Sequence, residues 1–303
     1  MGASIEKPTE NWRWVVLSAS APAVWGTTYI VTTQFLPPGY PIWSSVLRAL
    51  PAGIIGLLIC KQLPRGEWIW RSLIMAILNI GLWFPLLFVA AYRLPGGMAS
   101  VLSACQPLFV IAFAWVLLYQ SPSIWRVAWA IAGVVGVAVM VLASDSIFDP
   151  LGITAGILGT VSMALGIVMT KKWQRPTDGF TWAAWLLAWG GLLQLPMAIL
   201  FEGTPPPQDL RSILGYAWLS IAGGLLTYWA WFTGLGKISA VSASFLPLLS
   251  PLVATLLGYL LLDELLTLPQ WFGFLLCLTA IVLSQIAPPW GAAQTSLRGA
   301  TRR

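Results

Sequence analysis

The sequence predicts an all-α integral membrane protein with ten transmembrane helices, arranged as two inverted five-helix repeats. Three observations lead to this prediction. The 303-residue chain is 58% hydrophobic and only 9% charged, whereas soluble proteins carry roughly 25% charged residues. Ten apolar stretches, each close to the ~20 residues that a helix needs to cross a bilayer, fill most of the chain. The second half also repeats the first at a constant offset of 144 residues.

The ten predicted spans follow each other in chain order with short connections. They cover residues 12–34, 40–60, 68–91, 97–118, 125–143, 151–170, 180–201, 211–235, 240–262 and 269–287. Several spans contain a proline, which removes a backbone N–H, clashes with the preceding turn and bends the helix. These prolines are Pro22, Pro51, Pro85, Pro107, Pro196, Pro247 and Pro251.

The internal repeat is visible residue by residue. The offset of 144 places Arg93 on Lys237 and Pro107 on Pro251. Because five is an odd number of crossings, the second copy must enter the membrane from the opposite side, as in many secondary transporters. We therefore predict a first repeat at residues 1–145, a second, inverted repeat at 146–290 and a cytoplasmic tail at 291–303, all within one membrane domain.

The basic residues predict the orientation, because cytoplasmic loops are enriched in Lys and Arg. With the N-terminus inside, only Arg93 and Arg211 fall outside and Arg48 falls within a span. The cytoplasmic set is Lys7, Arg13, Lys61, Arg65, Arg71, Arg126, Lys171, Lys172, Arg175, Lys237, Arg298, Arg302 and Arg303. We expect a multi-pass protein of a bacterial-type inner (plasma) membrane with both termini cytoplasmic.

Several function classes lack their chemistry in this chain. There is no His, and every Asp and Glu falls in a loop, a tail or the last turn of a span, so the intramembrane relay common in proton-coupled carriers is missing. No P-loop, nucleophile elbow or dinucleotide fingerprint is present. The basic residues are scattered over helix ends and form no nucleic-acid stripe. We expect neither an enzyme nor a bound cofactor, metal or nucleic acid.

Arg48 is the one charge placed clearly within a span. A centred Arg costs roughly 2.5 to 3.5 kcal/mol on translocon scales unless it snorkels or finds carbonyl partners. Two interpretations stay open. Arg48 is either a structural residue tied to a neighbouring helix end or an anchor for a substrate carboxylate.

Helical spacing places uncharged polar and aromatic side chains on shared faces. Such groups prefer the bundle interior or a wet cavity, since lipid offers them no partner, although hydrogen bonding between helices also accounts for each one alone. A mixture of neutral polar groups and aromatic rings suits a flat, partly apolar solute. The predicted substrate-binding residues are Trp25, Thr28, Tyr29, Arg48, Asn79, Trp83, Ser103, Gln106, Thr227, Tyr228 and Trp231, and the predicted gating residues are Pro107 and Pro251.

These residues resemble the EamA-type exporters of the drug/metabolite transporter superfamily. Trp25-Gly26-Thr27-Thr28-Tyr29 is similar to the first-helix signature of that family, and Arg48 to its second-helix Arg. Residues 100–107 and 244–251 are similar to its two proline-bearing helices. The resemblance covers nearly the whole chain and implies a ten-helix exporter. The aromatic-rich interior is most similar to the YddG-like aromatic amino-acid exporters.

The sequence thus predicts a secondary transporter that exports amino acids, aromatic and other neutral ones, by alternating access and without proton coupling. The expected cavity lies between the repeats and is lined by the first, third, fourth, sixth, eighth and ninth helices. The expected partners are the small-molecule substrate and the lipid bilayer, with the protein acting as a monomer. Three alternatives stay open: a proton-coupled multidrug or metabolite exporter, a channel, and a receptor or scaffold that transports nothing.

Overall fold

The structure is a computed structural model that describes residues 12–94, 102–141, 149–261 and 267–286. Every regular element within these residues is a helix. Eight of the helices are long and apolar enough to cross a membrane, and two shorter apolar helices accompany them. Parts of the predicted spans at 97–118, 125–143, 240–262 and 269–287 lie outside the described residues.

We number the helices in chain order. They are α1 Trp12–Phe35, α2 Pro41–Cys60, α3 Trp68–Ala90, α4 Leu102–Leu118, α5 Ile124–Val139, α6 Pro150–Trp173, α7 Gly179–Glu202, α8 Leu210–Leu235, α9 Ala240–Leu261 and α10 Leu268–Gln285. The helical backbone of α3 continues to Arg93 and that of α5 to Val141. The two shorter helices are α4 and α5, and both adjoin segments that the structure does not describe.

Successive helices run in alternating directions, so their ends form two opposite faces of the bundle. On one face the Trp70 and Trp173 rings lie 5.5 Å apart, and the Trp185 indole donates to the Gln62 carbonyl at 2.7 Å. We call it the basic face because its described cations are Arg13, Lys61, Arg65, Arg71, Arg126, Lys171, Lys172, Arg175 and Lys237.

The opposite face joins the other helix ends. Here Arg93 pairs with Asp149 at 3.1 Å, and the Arg211 guanidinium lies 5.3 Å from the Phe35 ring. The first described helix, α1, therefore begins on the basic face, whereas α6 begins on the opposite face beside Arg93. The end of α10 returns to the basic face, where Gln285 donates to the Ser242 carbonyl at 3.1 Å.

The two most extensive interhelical interfaces join helices that the 144-residue offset relates, α2 with α7 and α5 with α10. Glycines make both approaches possible. Gly53 lies directly against the backbone of Ala188, and a Cβ on Gly136 would lie 2.9 Å from the Cys277 nitrogen. At the opposite face, the Glu202 carboxylate accepts hydrogen bonds from the first backbone N–H groups of α2 at 2.7 and 2.8 Å.

Helices α3 and α8 each contain a π-helical segment, at Ile77–Gly81 and Trp218–Leu226. The 144-residue offset places the first segment within the second and aligns Asn79 with Gly223. A π turn widens the helix and leaves backbone carbonyls available to other donors, which is why such turns are frequent at functional sites. The repeat is thus visible in an irregularity of the backbone as well as in the sequence.

Candidate functional site

A cavity that is partly open to solvent lies between the helices. Seven helices contribute to its wall: α1, α2, α3, α4, α6, α8 and α9. The lining residues are Trp25, Thr28, Tyr29, Arg48, Trp83, Leu87, Ser103, Gln106, Met163, Tyr228, Pro247, Ser250 and Pro251. The six helices expected from the sequence all take part, and Arg48 adds α2.

Nine of the predicted residues line this cavity together: Trp25, Thr28, Tyr29, Arg48, Trp83, Ser103, Gln106, Tyr228 and Pro251. Four others do not line it: Asn79, Pro107, Thr227 and Trp231. The wall as a whole is mostly apolar, built from aromatic and aliphatic side chains, with a few uncharged polar groups and one guanidinium.

Arg48 is 2% exposed and lies between α1, α3 and α8. Its Nη2 donates to the Gly223 carbonyl at 3.0 Å, and its Nη1 donates to the Thr28 hydroxyl at 3.3 Å. The guanidinium carbon lies 4.6 Å from the centre of the Phe84 ring, a cation–π distance. All three partners are uncharged. They hold the Arg48 side chain in place but do not neutralise its charge.

The Gly223 carbonyl has a second donor. The Trp25 indole N–H reaches both this carbonyl, at 3.1 Å, and the Thr227 hydroxyl, at 3.0 Å. The Trp25 ring also packs against Tyr228 and Trp231, with centroids 5.2 and 5.6 Å apart. The π segment of α8 thus fixes the guanidinium and the indole that face the cavity.

Thr227 and Trp231 form a second layer behind Trp25. The Thr227 hydroxyl accepts from Trp25 and donates to the Gly224 carbonyl at 3.1 Å. Trp231 is fully buried, and its indole nitrogen has no hydrogen-bond partner. Both residues therefore act on the cavity through Trp25.

Asn79 faces away from the cavity, toward α6. Its amide donates to the Met75 carbonyl at 2.8 Å, and its side chain packs against Gly166, where a Cβ would lie 2.6 Å from it. Its backbone carbonyl accepts from the Tyr228 hydroxyl at 3.4 Å. The Asn79 side chain is thus part of the α3–α6 packing.

The prolines of α4 and α9 mark breaks in both helices. Pro107 is buried at the start of a new helical segment, Gln106–Leu118. In α9 a 3₁₀ turn at Leu246–Leu248 precedes the segment Leu249–Leu261, which carries Pro251. The two breaks occupy corresponding places under the 144-residue offset.

Sequence reasoning missed four lining residues: Leu87, Met163, Pro247 and Ser250. The repeat carried the signal for two of them, because the offset takes Ser103 to Pro247 and Gln106 to Ser250. Leu87 follows Trp83 by one helical turn, and its position was available from spacing. We find no sequence signal for Met163.

The described carboxylates all lie at helix ends. Backbone hydrogen bonds, first that from Gly152, together with the Arg93 side chain hold the pKa of Asp149 below its ordinary 3.8. Hydrogen bonds from Ser212 likewise lower the pKa of Asp209. Both groups are therefore ionised at neutral pH. The described carboxylates are Glu67, Asp149, Asp178, Glu202 and Asp209, and these residues form no three-membered metal-ligand cluster with the described cysteines.

The EamA-like transporter family matches this chain twice, over residues 12–142 and 150–285. The chain belongs to that family. It is thus a multi-pass membrane transporter of the drug/metabolite transporter superfamily, and the double match agrees with the repeat read from the sequence. The members of this family are transporters rather than enzymes.

Two curated relatives and one solved structure extend the comparison. Protein PecM of Dickeya dadantii is 44% identical over 267 residues, covering 88% of this chain and 90% of PecM. The inner membrane transporter YedA of Escherichia coli is 25% identical over 265 residues, covering 86% of both chains. A crystal structure with 18% identity superposes with a TM-score of 0.76, covering 90% of this chain and 97% of the other. At that identity the structural likeness concerns the fold alone.

Proposed function

We propose that this transporter exports amino acids, aromatic and other neutral ones, across a bacterial inner membrane by alternating access and without proton coupling. The observation that carries the proposal is the single cavity in which Trp25, Tyr29, Trp83 and Tyr228 meet neutral polar groups and one guanidinium. Aromatic walls of this kind favour a flat ring, and the polar groups favour a small polar head.

The proposed architecture is ten membrane helices in two inverted repeats. It is supported by the double family match, by the matched π segments and by α1 and α6 beginning on opposite faces. The packing of α2 on α7 and of α5 on α10 also suits a two-fold axis in the membrane plane that relates the two halves. The cation-rich basic face is then cytoplasmic.

Alternating access requires one side of the cavity to be closed while the other is open. Toward the basic face the helices are tightly packed: Trp231, Phe232, Leu235 and Phe245 are fully buried, and Gly234 lies directly against Ser18. Most cavity residues lie at the middle of their helices or nearer to the opposite face. The described conformation is thus best explained as open away from the cytoplasm.

The breaks at Pro107 and Pro251 are the proposed hinges. Replacing either proline with Ala restores a backbone donor and stiffens the helix. We expect Pro107→Ala and Pro251→Ala to slow counterflow of phenylalanine in proteoliposomes while membrane abundance is kept. Pro196→Ala, in the exposed part of α7, is the matched control. Unchanged turnover in both hinge variants would remove the gating role.

Uncoupled transport follows from the placement of the titratable groups. The chain has no His, and the described carboxylates lie at helix ends, away from the cavity. Substrate flux should follow the substrate gradient and ignore an imposed pH gradient at fixed substrate charge. Uphill accumulation driven by protons alone would favour the proton-coupled exporter instead, and flux that never saturates would favour a channel.

Aromatic recognition is tested on the cavity rings. Loss of one stacking ring should raise the apparent Kd for phenylalanine about two- to tenfold, since aromatic pairs contribute about 0.5 to 1.5 kcal/mol beyond burial. Trp83→Ala should show this loss with phenylalanine and a smaller one with threonine. Trp229→Ala, on the exposed side of α8, is the control. Equal losses for both substrates would mean that Trp83 only supports the cavity wall, and absence of transport for every amino acid would leave the receptor alternative.

A further inference from the structure

The cavity carries a fixed positive charge without a described counter-ion. Among the described residues that line the cavity, Arg48 is the only Lys, Arg, Asp or Glu. Neither of the ion pairs between described residues, Arg71 with Glu67 and Arg93 with Asp149, involves it. A guanidinium stays protonated in proteins, so the charge of Arg48 is permanent. A buried charge of this kind is costly until an opposite charge meets it.

Two buried hydrogen-bond donors at the cavity also lack a partner. They are Nε of Arg48 and Nε2 of Gln106, and each residue is 2% exposed. Both side chains line the same cavity, one from α2 and the other from α4. Buried polar groups in native proteins are nearly always paired, so each exception calls for an explanation. A ligand that carries hydrogen-bond acceptors to both donors would account for the two exceptions.

The cavity offers no matching place for a second, positive head group. None of the described lining side chains is a carboxylate. The Gly223 carbonyl, which could attract an ammonium, already accepts from Arg48 and Trp25. An ammonium placed near Arg48 would meet like charge, and elsewhere it would meet hydroxyls and ring faces. Cation–π contacts there compensate only part of its lost hydration.

We infer that the site selects an organic anion with an aromatic body, whose carboxylate meets Arg48 and Gln106. An aromatic monocarboxylate then binds more tightly than the zwitterionic amino acid with the same ring, and an aromatic amine binds weakest. This inference rests on the proposed function, because it takes the described cavity to be the transport site. It narrows the substrate class and disfavours polyamines and cationic drugs.

A matched trio of ligands tests the inference: 3-phenylpropionate, phenylalanine and phenethylamine share one ring and differ in head-group charge. Titration calorimetry on the purified full chain should give a Kd for 3-phenylpropionate at least tenfold below that for phenethylamine, with phenylalanine between them. Equal Kd values for the anion and the amine would overturn the inference. So would tighter binding of phenylalanine than of 3-phenylpropionate.

Three variants test whether the preference for the anion depends on Arg48 and Gln106. Arg48→Gln should abolish the preference for the anion, whereas Arg48→Lys should keep part of it because the charge remains. Gln106→Leu should raise the Kd for 3-phenylpropionate and leave the Kd for phenethylamine unchanged. This variant tests the inference if Arg48→Gln does not fold. A preference that survives both Arg48→Gln and Gln106→Leu would place the anion site elsewhere and refute the inference.

Counterflow separates this inference from the proposed function. If phenylalanine is transported but 3-phenylpropionate does not bind more tightly than phenethylamine, amino-acid export is supported and the inferred preference for anions is refuted. If 3-phenylpropionate binds as expected but no amino acid is transported, the preference for anions is supported and amino-acid export is refuted.

Discussion

The π segments of α3 and α8 stand at equivalent places in the two repeats, yet they serve different purposes. In α3 two carbonyls accept from side chains that do not line the cavity: Ser162 reaches Leu78 at 2.8 Å, and Gln194 reaches Ile80 at 2.8 Å. The Asn79 carbonyl does accept from a cavity residue, through the Tyr228 hydroxyl, but at the longer distance of 3.4 Å. In α8 the freed carbonyl of Gly223 accepts from Arg48 and Trp25, which face the cavity.

The same duplicated π segment thus supports helix packing in one repeat and positions the side chains of the cavity in the other. The residue at the matched position decides which. Asn79 brings a side chain that fills the space beside Gly166, whereas Gly223 brings none and leaves room for the Arg48 guanidinium at 3.7 Å from its would-be Cβ. Substitutions in α3 should therefore change stability, and those in α8 should change ligand binding.

The largest effect is expected at Gly166, where α6 meets the α3 segment. A Cβ there would lie 2.6 Å from the Asn79 side chain, which is short and held by Met75. Gly166→Val should lower the free energy of unfolding by about 1–3 kcal/mol through overpacking. Thermal unfolding in detergent measures this. Gly223→Ala is the control, because its Cβ makes only ordinary contacts, and equal destabilisation of both variants would erase the contrast between the segments.

A loss in the same range is expected when the α3 segment loses a hydrogen-bond donor. Gln194→Leu leaves the Ile80 carbonyl unpaired and buried, which costs about 1–3 kcal/mol at most sites. The Kd for 3-phenylpropionate should stay within about twofold, because Gln194 does not line the cavity. A tenfold change in Kd would require about 1.4 kcal/mol of lost binding free energy. Gln208→Leu controls for the change of residue type, because the exposed Gln208 side chain bonds only nearby groups: it donates to the Pro206 carbonyl and accepts from the Ser212 hydroxyl at 3.5 Å. A large shift in Kd without a loss of stability would mean that the α3 segment also builds the site.

Helical spacing predicted a shared cavity face correctly for some pairs of residues but not for others. Ser103 and Gln106 share a face of α4, and both line the cavity. Asn79 and Trp83 have equally favourable spacing but separate, because the π segment between them adds part of a turn. Trp83 therefore lines the cavity while Asn79 faces α6.

The membrane-protein class and the repeat could be predicted because they depend on composition and on residue identity at a fixed offset. The π segments could not, since no residue type in Ile77–Gly81 or Trp218–Leu226 specifies an extra residue in the turn. The partners of Arg48 were equally hidden. The carbonyl that holds it is a backbone group of Gly223, on a helix distant in sequence, and its availability depends on the π turn.

The smallest effects are expected at the side chains that bond the Gly223 carbonyl of α8 or support that bond, and they test whether the α8 segment serves ligand binding. Trp25→Phe removes the N–H that reaches the Gly223 carbonyl and should raise the Kd for 3-phenylpropionate about two- to tenfold, because a net hydrogen bond contributes about 0.5–1.5 kcal/mol. Thr227→Val removes only the second acceptor of Trp25 and leaves the Gly223 carbonyl at 3.1 Å. Its effect on Kd should be smaller than that of Trp25→Phe, with Thr227→Ser unchanged. Calorimetry measures the effect of each variant on the Kd and thermal unfolding its effect on stability, so the two together separate a role in ligand binding from a role in packing. If Trp25→Phe lowers stability as much as Gln194→Leu but leaves the Kd unchanged, the α8 segment is as structural as that of α3.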